Sequence, residues 1–319
     1  MSSRSIDPEI AEFVRRVQAG WASHPPFATL PVAMARAVAE LVRDPWRRGG
    51  PAMASTVDLE VPVAGGTMRV RRLDPGVAGP APALIYLHGG GFMLFSIDTH
   101  DRLMREYAAA AGMVVLAVDY PLSPEARYPE ALHTIVALVD WLRSDGHLTG
   151  IDAGRLAIGG DSAGANLALA TALSFRDRGD TALSALMLNY GAFAESCSDA
   201  AEAANGGPSA VLNRNEVRFY FDHYVRSAAD FADPLACPAR ARFAALPPSF
   251  LVVPERDVLA EQSIAMQAAM AAAGVAVTSK LYPGATHSFL EAMSISRVAR
   301  EAIADGAAFL RAQLGTAAI

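Results

Sequence analysis

Five residues, Gly160-Asp161-Ser162-Ala163-Gly164, constrain this chain more than any others. They join an apolar run of strand length, RLAIG, to a helical pattern, ANLALATALSF. A backbone that passes from strand to helix over a single serine must bend sharply there, and small neighbours let strand and helix come close. The serine hydroxyl then stands free at the end of a buried strand, near the positive end of a helix dipole. Gly-x-Ser-x-Gly in this strand–turn–helix setting is the pattern of an activated serine nucleophile. The rival for any glycine-rich turn from strand to helix is a phosphate loop. This turn has neither Gly-Lys-Ser/Thr nor Gly-x-Gly-x-x-Gly spacing, which disfavours nucleotide binding.

The rest of the pattern agrees with a layered α/β fold. Asp7-Pro8-Glu9 reads as a helix start, with an N-cap acid, a proline in the first turn and an acid at the positive dipole end. A second helix is predicted over residues 31–42, and Gly49-Gly50-Pro51 breaks the chain after it. Residues 58–63 and 68–73 flank Gly65-Gly66, a hairpin signal, so the sheet should begin antiparallel. Continuous apolar runs follow at 83–87, 113–118, 155–158, 185–189, 250–253 and 275–281, the mark of strands buried on both faces. Helical patterns at 101–110, 129–143, 163–175, 262–273 and 298–314 alternate with them, as crossover helices on a mostly parallel sheet would. Residues 191–230 interrupt the alternation with polar, Gly- and Asn-containing sequence and an aromatic segment, RFYFDHYV. That stretch reads either as a lid or as an ordinary crossover with a long loop.

Composition removes several function classes. Of 319 residues, 52% are hydrophobic, enough for a large core, and a net charge of −6 offers no basic face for nucleic acid. No run of 18 apolar residues is free of charge, so no stable membrane insertion is expected. The N-terminus does not read as a secretory signal, and the two cysteines, Cys197 and Cys237, do not make a disulfide framework, so the expected location is cytoplasmic. The seven histidines are scattered and no His-Glu-x-x-His occurs, so neither a metal nor another cofactor is expected.

A serine nucleophile needs partners, and the chain supplies candidates in order. His88-Gly89-Gly90-Gly91-Phe92 directly follows the strand ALIYL. Consecutive glycines let backbone amides point at one spot, so Gly89, Gly90 and Gly91, with Ala163 after the nucleophile, are candidates for holding an oxyanion. His88 itself reads as structural. Of the two histidines after Ser162, His287 follows the last strand in LYPGATHSF, at an end where ligands meet such sheets, whereas His223 lies in the aromatic segment and reads as lid or core. Asp257 follows the strand FLVV and is the candidate acid. Glu255 lies nearer the strand end, Asp233 reads as a turn or cap residue, and Glu261 as a first-turn acid of its helix. Asp119-Tyr120-Pro121-Leu122-Ser123-Pro124 reads as rigid scaffolding beneath the glycine loop, with substrate contact by Tyr120 or Arg127 as the alternative.

Taken jointly, HGGGF (88–92), DYPLSPEARYPEA (119–131), GDSAGAN (160–166), DPLACP (233–238), LPP (246–248), RDVLAE (256–261) and LYPGATHSF (281–289) resemble the hormone-sensitive-lipase-like branch of the α/β-hydrolase superfamily. The wording of the second and last segments is similar to that of bacterial acetyl esterases. The resemblance implies an eight-stranded, mostly parallel sheet with a helical cap, built from residues 1–48 and an insertion at about 191–230, on a catalytic domain spanning 49–319. It implies hydrolysis of short-chain carboxylic esters without a cofactor, with Ser162 as nucleophile, Asp257 as acid, His287 as base, and amides of the glycine loop and Ala163 as the oxyanion hole. The family often has Asp-Pro-Leu-x-Asp around the acid. Here the sequence reads Asp257-Val258-Leu259-Ala260-Glu261, which loosens the loop and leaves the acid in place.

The expected activity is a serine carboxylesterase acting on a small ester through an acyl-enzyme, as a monomer or homodimer. Two rivals use the same scaffold: a small-amide hydrolase with the same triad, and a non-catalytic small-molecule receptor. Substitution Ser162→Ala should leave the fold intact and lower kcat by roughly 10⁶-fold, and His287→Ala should do comparable damage because the two act as one unit. Steady-state kinetics with circular dichroism checks this, and retention of more than a few per cent of activity by Ser162→Ala would contradict the elbow assignment.

Overall fold

The computed structural model describes residues 5–63, 66–207 and 210–317. Two helices come first, α1 (Pro8–Ala22) and α2 (Val32–Arg47). Asp7 caps α1 by accepting the amides of Glu9 and Ile10, as its sequence suggested. Helix α2 runs past the predicted end at residue 42, with Pro45 inside its last turn. Its buried face reads Ala35, Val38, Ala39, Val42, Arg43 and Trp46, an apolar stripe at helical spacing with one arginine in it.

Strands β1 (Ser55–Val63) and β2 (Gly66–Asp74) form the expected antiparallel hairpin. Gly65 of its turn lies outside the described residues. Then come β3 (Ala81–Leu87), α3 (Asp101–Ala111), β4 (Val114–Val118), α4 (Glu130–Asp145), β5 (Ile151–Asp161), α5 (Ala163–Asp177) and β6 (Ala185–Asn189). The 191–230 stretch holds two helices, α6 (Asp199–Asn205) and α7 (Arg214–Tyr224). Asn213 and Glu216 close a reciprocal capping box on α7. The chain ends with β7 (Ser249–Arg256), α8 (Ala260–Ala272), β8 (Val277–Thr286) and α9 (Arg297–Leu314).

The eight strands form one sheet in the order β1-β2-β4-β3-β5-β6-β7-β8. Pairings from β4 through β8 are parallel, and the two made by β2 are antiparallel. Side chains alternate between faces along each strand. On β3, Ala83, Ile85 and Leu87 pack into one layer with α4 and α5, while Leu84 and Tyr86 pack into the other with α3 and α9. Helices α1 and α2 join the second layer through Ile10, Phe13, Val38 and Trp46.

The tightest approach in this architecture is between α5 and β3. A methyl group on Gly164 would collide with the backbone carbonyls of Leu87 and His88. Neither carbonyl can yield, since Leu87 ends a central strand and His88 follows it directly, its carbonyl held by the Tyr120 hydroxyl. Gly164→Ala should therefore cost roughly 3 kcal/mol or more, the upper range for overpacking. Chemical denaturation checks this, and an unchanged midpoint would contradict it.

Candidate active site

Each residue singled out for chemistry is the first one past the end of its strand. Ser162 follows β5, Asp257 follows β7, His287 follows β8, and His88 follows β3. Parallel strands carry their C-terminal ends to one edge, so the topology brings Ser162 and His287 together from positions 125 residues apart, and Asp257 with them. His287 Nε2 lies 3.0 Å from Ser162 Oγ, and His287 Nδ1 lies 2.7 Å from Asp257 Oδ2. All three are buried, with Ser162 at 8% exposure. The Asp257 Oδ1 atom accepts the Leu259 amide at 2.9 Å, and Val258 is fully buried. The acid loop is thus anchored without the proline often found there.

Ser162 has φ 54° and ψ −114°, a strained conformation for a residue with a side chain. Hydrogen bonds hold it: its amide donates to Asn189 O at 2.9 Å, and its carbonyl accepts the amides of Asn166 and Ala192. The glycine loop faces it. Gly90 has φ +118°, and a Cβ there would strike the Leu94 carbonyl, so only glycine closes this turn. The Gly90 carbonyl accepts the amides of Met93 and Leu94.

The amides of the glycine loop do not all point to the same place. Gly89 N–H donates to Asp161 Oδ1 at 3.1 Å. Its amide therefore fixes the loop to the elbow, which corrects its expected place among the oxyanion donors. Gly90 and Gly91 line the cavity beside Ser162, and Ala163 opens α5 immediately after it. Beneath the loop, Tyr120 O–H donates to His88 O at 2.7 Å and its ring stacks on His88 at 4.5 Å. The Arg127 guanidinium donates to Val225 O and Asp222 O. Neither side chain lines the cavity. Burial pushes the His88 pKa down to about 3, with His100 adding to the effect, so its imidazole is neutral.

The other candidates are engaged elsewhere. His223 Nδ1 bonds Phe219 O at 2.8 Å within α7. Glu255 accepts the Gly284 amide, Asp233 accepts from Leu235 N–H and Tyr128 O–H, and Glu261 accepts from Ser198.

Ser162 and His287 open into a cavity of about 910 Å³. Its walls come from α1 and the segment after it, from α7 and from the glycine loop, and include Trp21, Phe27, Tyr220 and Phe221. Phe27 stacks against Tyr220 at 5.8 Å and meets Phe219 edge-on at 5.4 Å, which joins the segment after α1 to α7. Phe193 and Tyr224 belong to the core instead, Tyr224 stacked on Phe92 at 3.8 Å.

Sequence reasoning missed a buried charged group beside the elbow. Asp161 accepts Tyr86 O–H at 3.0 Å and lies 3.5 Å from His100 Nε2. Glu291 Oε1 is 3.9 Å from the same nitrogen, and Glu291 Oε2 is 2.6 Å from Arg43 Nη1. Burial opposes the Asp161 charge, but His100 and the Tyr86 hydroxyl outweigh it and hold the carboxyl below its usual range. Burial raises Glu291, only partly offset by Arg43 and His100. His100, Asp161 and Glu291 have ligand-type atoms within 4.8 Å of one another, yet Arg43 already supplies a positive charge there.

A family model described as alpha/beta hydrolase fold matches residues 84–291. The chain belongs to the α/β-hydrolase family, in its hormone-sensitive-lipase-like, carboxylesterase branch. Among solved structures, a hyperthermophilic esterase from the archaeon Pyrobaculum calidifontis is 29% identical, with a TM-score of 0.89 over 97% of this chain and 98% of that one. An ester-hydrolase from the metagenome of Lake Arreo, solved with a derivative of bipyridine phosphonate, is 30% identical, with a TM-score of 0.91 over 98% of this chain and 100% of its own. A thermophilic and thermostable carboxylesterase cloned from a metagenomic library is 28% identical, with a TM-score of 0.86 over 90% and 99%. These neighbours support hydrolysis of carboxylic esters. Among the described residues no helix of this α/β-hydrolase is long and apolar enough to cross a membrane.

If Asp257 orients the imidazole, Asp257→Asn should leave the protein folded and lower kcat by roughly 10⁴-fold, because an amide favours the wrong tautomer. Kinetics normalised to folded protein checks this, and a loss below tenfold would remove Asp257 from the relay.

Proposed function

We propose that this protein is a serine carboxylesterase that hydrolyses short-chain esters through an acyl-enzyme. The observation that carries the reading is the continuous relay Asp257–His287–Ser162, with contacts of 2.7 and 3.0 Å, at the base of a cavity that also exposes the glycine loop. In this reading His287 Nε2 takes the Ser162 hydroxyl proton as Oγ attacks the ester carbonyl. The oxyanion accepts hydrogen bonds from the amides of Gly90, Gly91 and Ala163. The imidazolium then returns the proton to the leaving alcohol. A water deprotonated by His287 attacks the acyl-enzyme and releases the acid, and the proton passes back to Ser162. Asp257 holds the imidazole and stabilises its cation without becoming protonated. A phosphonate that captures a serine in its tetrahedral geometry should label Ser162.

The N-terminal segment up to residue 48 and the insertion at about 191–230 serve as the cap on a catalytic domain of residues 49–319. Support comes from their joint contribution to the cavity wall and from the ring contacts between Phe27 and α7. The same rings underlie the proposed short-chain preference. Each buried CH₂ of a substrate contributes about 0.8 kcal/mol where there is room for it. Trp21, Phe27, Tyr220 and Phe221 line the cavity, and in this reading their rings close its acyl side. Turnover of p-nitrophenyl esters should be best at two to four acyl carbons, at most six, with little on long-chain lipids. Measuring kcat/KM from two to sixteen acyl carbons checks this, and a steady rise to twelve or more would recast the enzyme as a lipase.

A further inference from the structure

Part of the cavity wall is charged although the rest is largely apolar. Arg43 from α2, His100 at the start of α3, and Glu291 in the turn after β8 all line the cavity that holds Ser162. Each is at most 3% exposed. Four of their polar atoms have no hydrogen-bond partner among the described residues, Arg43 Nε and Nη1 and both Glu291 carboxylate oxygens, and His100 Nε2 has only the long contact to Asp161 at 3.5 Å. Arg43 and Glu291 meet at 2.6 Å, but not with hydrogen-bond geometry. The guanidinium also lies over the Phe95 ring at 4.7 Å, which fixes its position.

Buried polar groups are normally satisfied, so a group of this kind facing a cavity points to a partner that arrives from it. Charge selects the partner. An anion would face the carboxylates of Glu291 and Asp161, and a cation would face Arg43. Burial alone would lower the His100 pKa, but Asp161 and Glu291 outweigh it and raise it, which adds to the positive side. A neutral hydroxyl meets neither repulsion. It donates to a Glu291 oxygen and accepts from Arg43 or His100 at once.

We propose that Arg43, His100 and Glu291 form a polar subsite for a neutral hydroxyl group carried by the substrate, several bonds from its ester carbonyl. This rests on the esterase reading and specifies its substrate class: esters of hydroxylated alcohols or of hydroxy acids, in preference to plain alkyl esters. The subsite is separate from the proton relay. His100 lies 3.5 Å from Asp161 of the elbow, and Glu291 is near enough to His287 to feel its charge.

Two matched pairs of esters test the proposal, one for each side of the ester bond: hexyl acetate with its ω-hydroxyhexyl analogue, and ethyl hexanoate with its ω-hydroxy analogue. Their affinities for the Ser162→Ala protein are measured by titration calorimetry, so no turnover is needed. An apolar wall would disfavour the added hydroxyl, because its bonds to water are lost on entry. The proposal expects the hydroxylated member of at least one pair to bind tenfold tighter or better. That ratio should fall to one or below when Arg43→Met and Glu291→Leu are added together, which removes both charges and leaves neither unpaired. Tighter or equal binding of the plain ester in both pairs overturns the subsite, as does a hydroxyl preference that survives the double substitution. If the double variant does not fold, the ratio in the Ser162→Ala protein decides. Turnover of the same esters by the protein with Ser162 intact reports separately on the esterase reading: hydrolysis of neither pair overturns that reading and leaves the binding ratio readable.

Discussion

The turn at Ser162 is the constraint from which the rest of the structure follows. A residue with a side chain sits there at φ 54°, and the surroundings must hold it in place. They do so with hydrogen bonds to Asn189, Asn166 and Ala192, and with a helix pressed so closely on β3 that position 164 admits no side chain. The adjacent Asp161 then ties the turn to the glycine loop through Gly89 and to the strand beneath through Tyr86. One bend therefore fixes the Ser162 side chain and holds the glycine loop opposite it, at the sheet edge to which the topology delivers Asp257 and His287.

Much of this was legible in the chain because the informative residues lie next to strand ends. The apolar runs end at 158, 253 and 281, and Ser162, Asp257 and His287 each follow within six residues, directly after the longer strands of the structure. Strand lengths were less legible. β5 begins at Ile151, well before the predicted residue 155, because its first residues include polar ones that an apolar-run criterion discards. Amide directions were not legible at all. Three consecutive glycines look equivalent, and only the position of the Asp161 carboxylate separates Gly89 from its neighbours.

The charged part of the cavity was hidden for a different reason. Its members stand at positions 43, 100 and 291, and no local pattern links them. The one available signal was in α2. Arg43 falls on the same helical stripe as Ala35, Val38, Ala39, Val42 and Trp46. A charge on an otherwise apolar stripe must find a buried counter-charge, here Glu291. The predicted helix over 31–42 stops one residue short of Arg43, so the sequence alone gives no reason to look for that counter-charge.

The two segments that wall the cavity are bonded to the same backbone that carries Asp257 and His287. The Asp7 amide at the head of α1 donates to Gly284 O on β8, three residues before His287, and Glu9 accepts the amide of Arg297 just beyond. From the other segment, the Asn205 side chain donates to the carbonyl of Asp257 itself. The backbone at His287 and that at Asp257 each take a strut from a different segment. A guest that displaces either segment also strains a hydrogen bond to the backbone at Gly284 or Asp257, so room for the guest and the placement of this sheet edge share the same anchors.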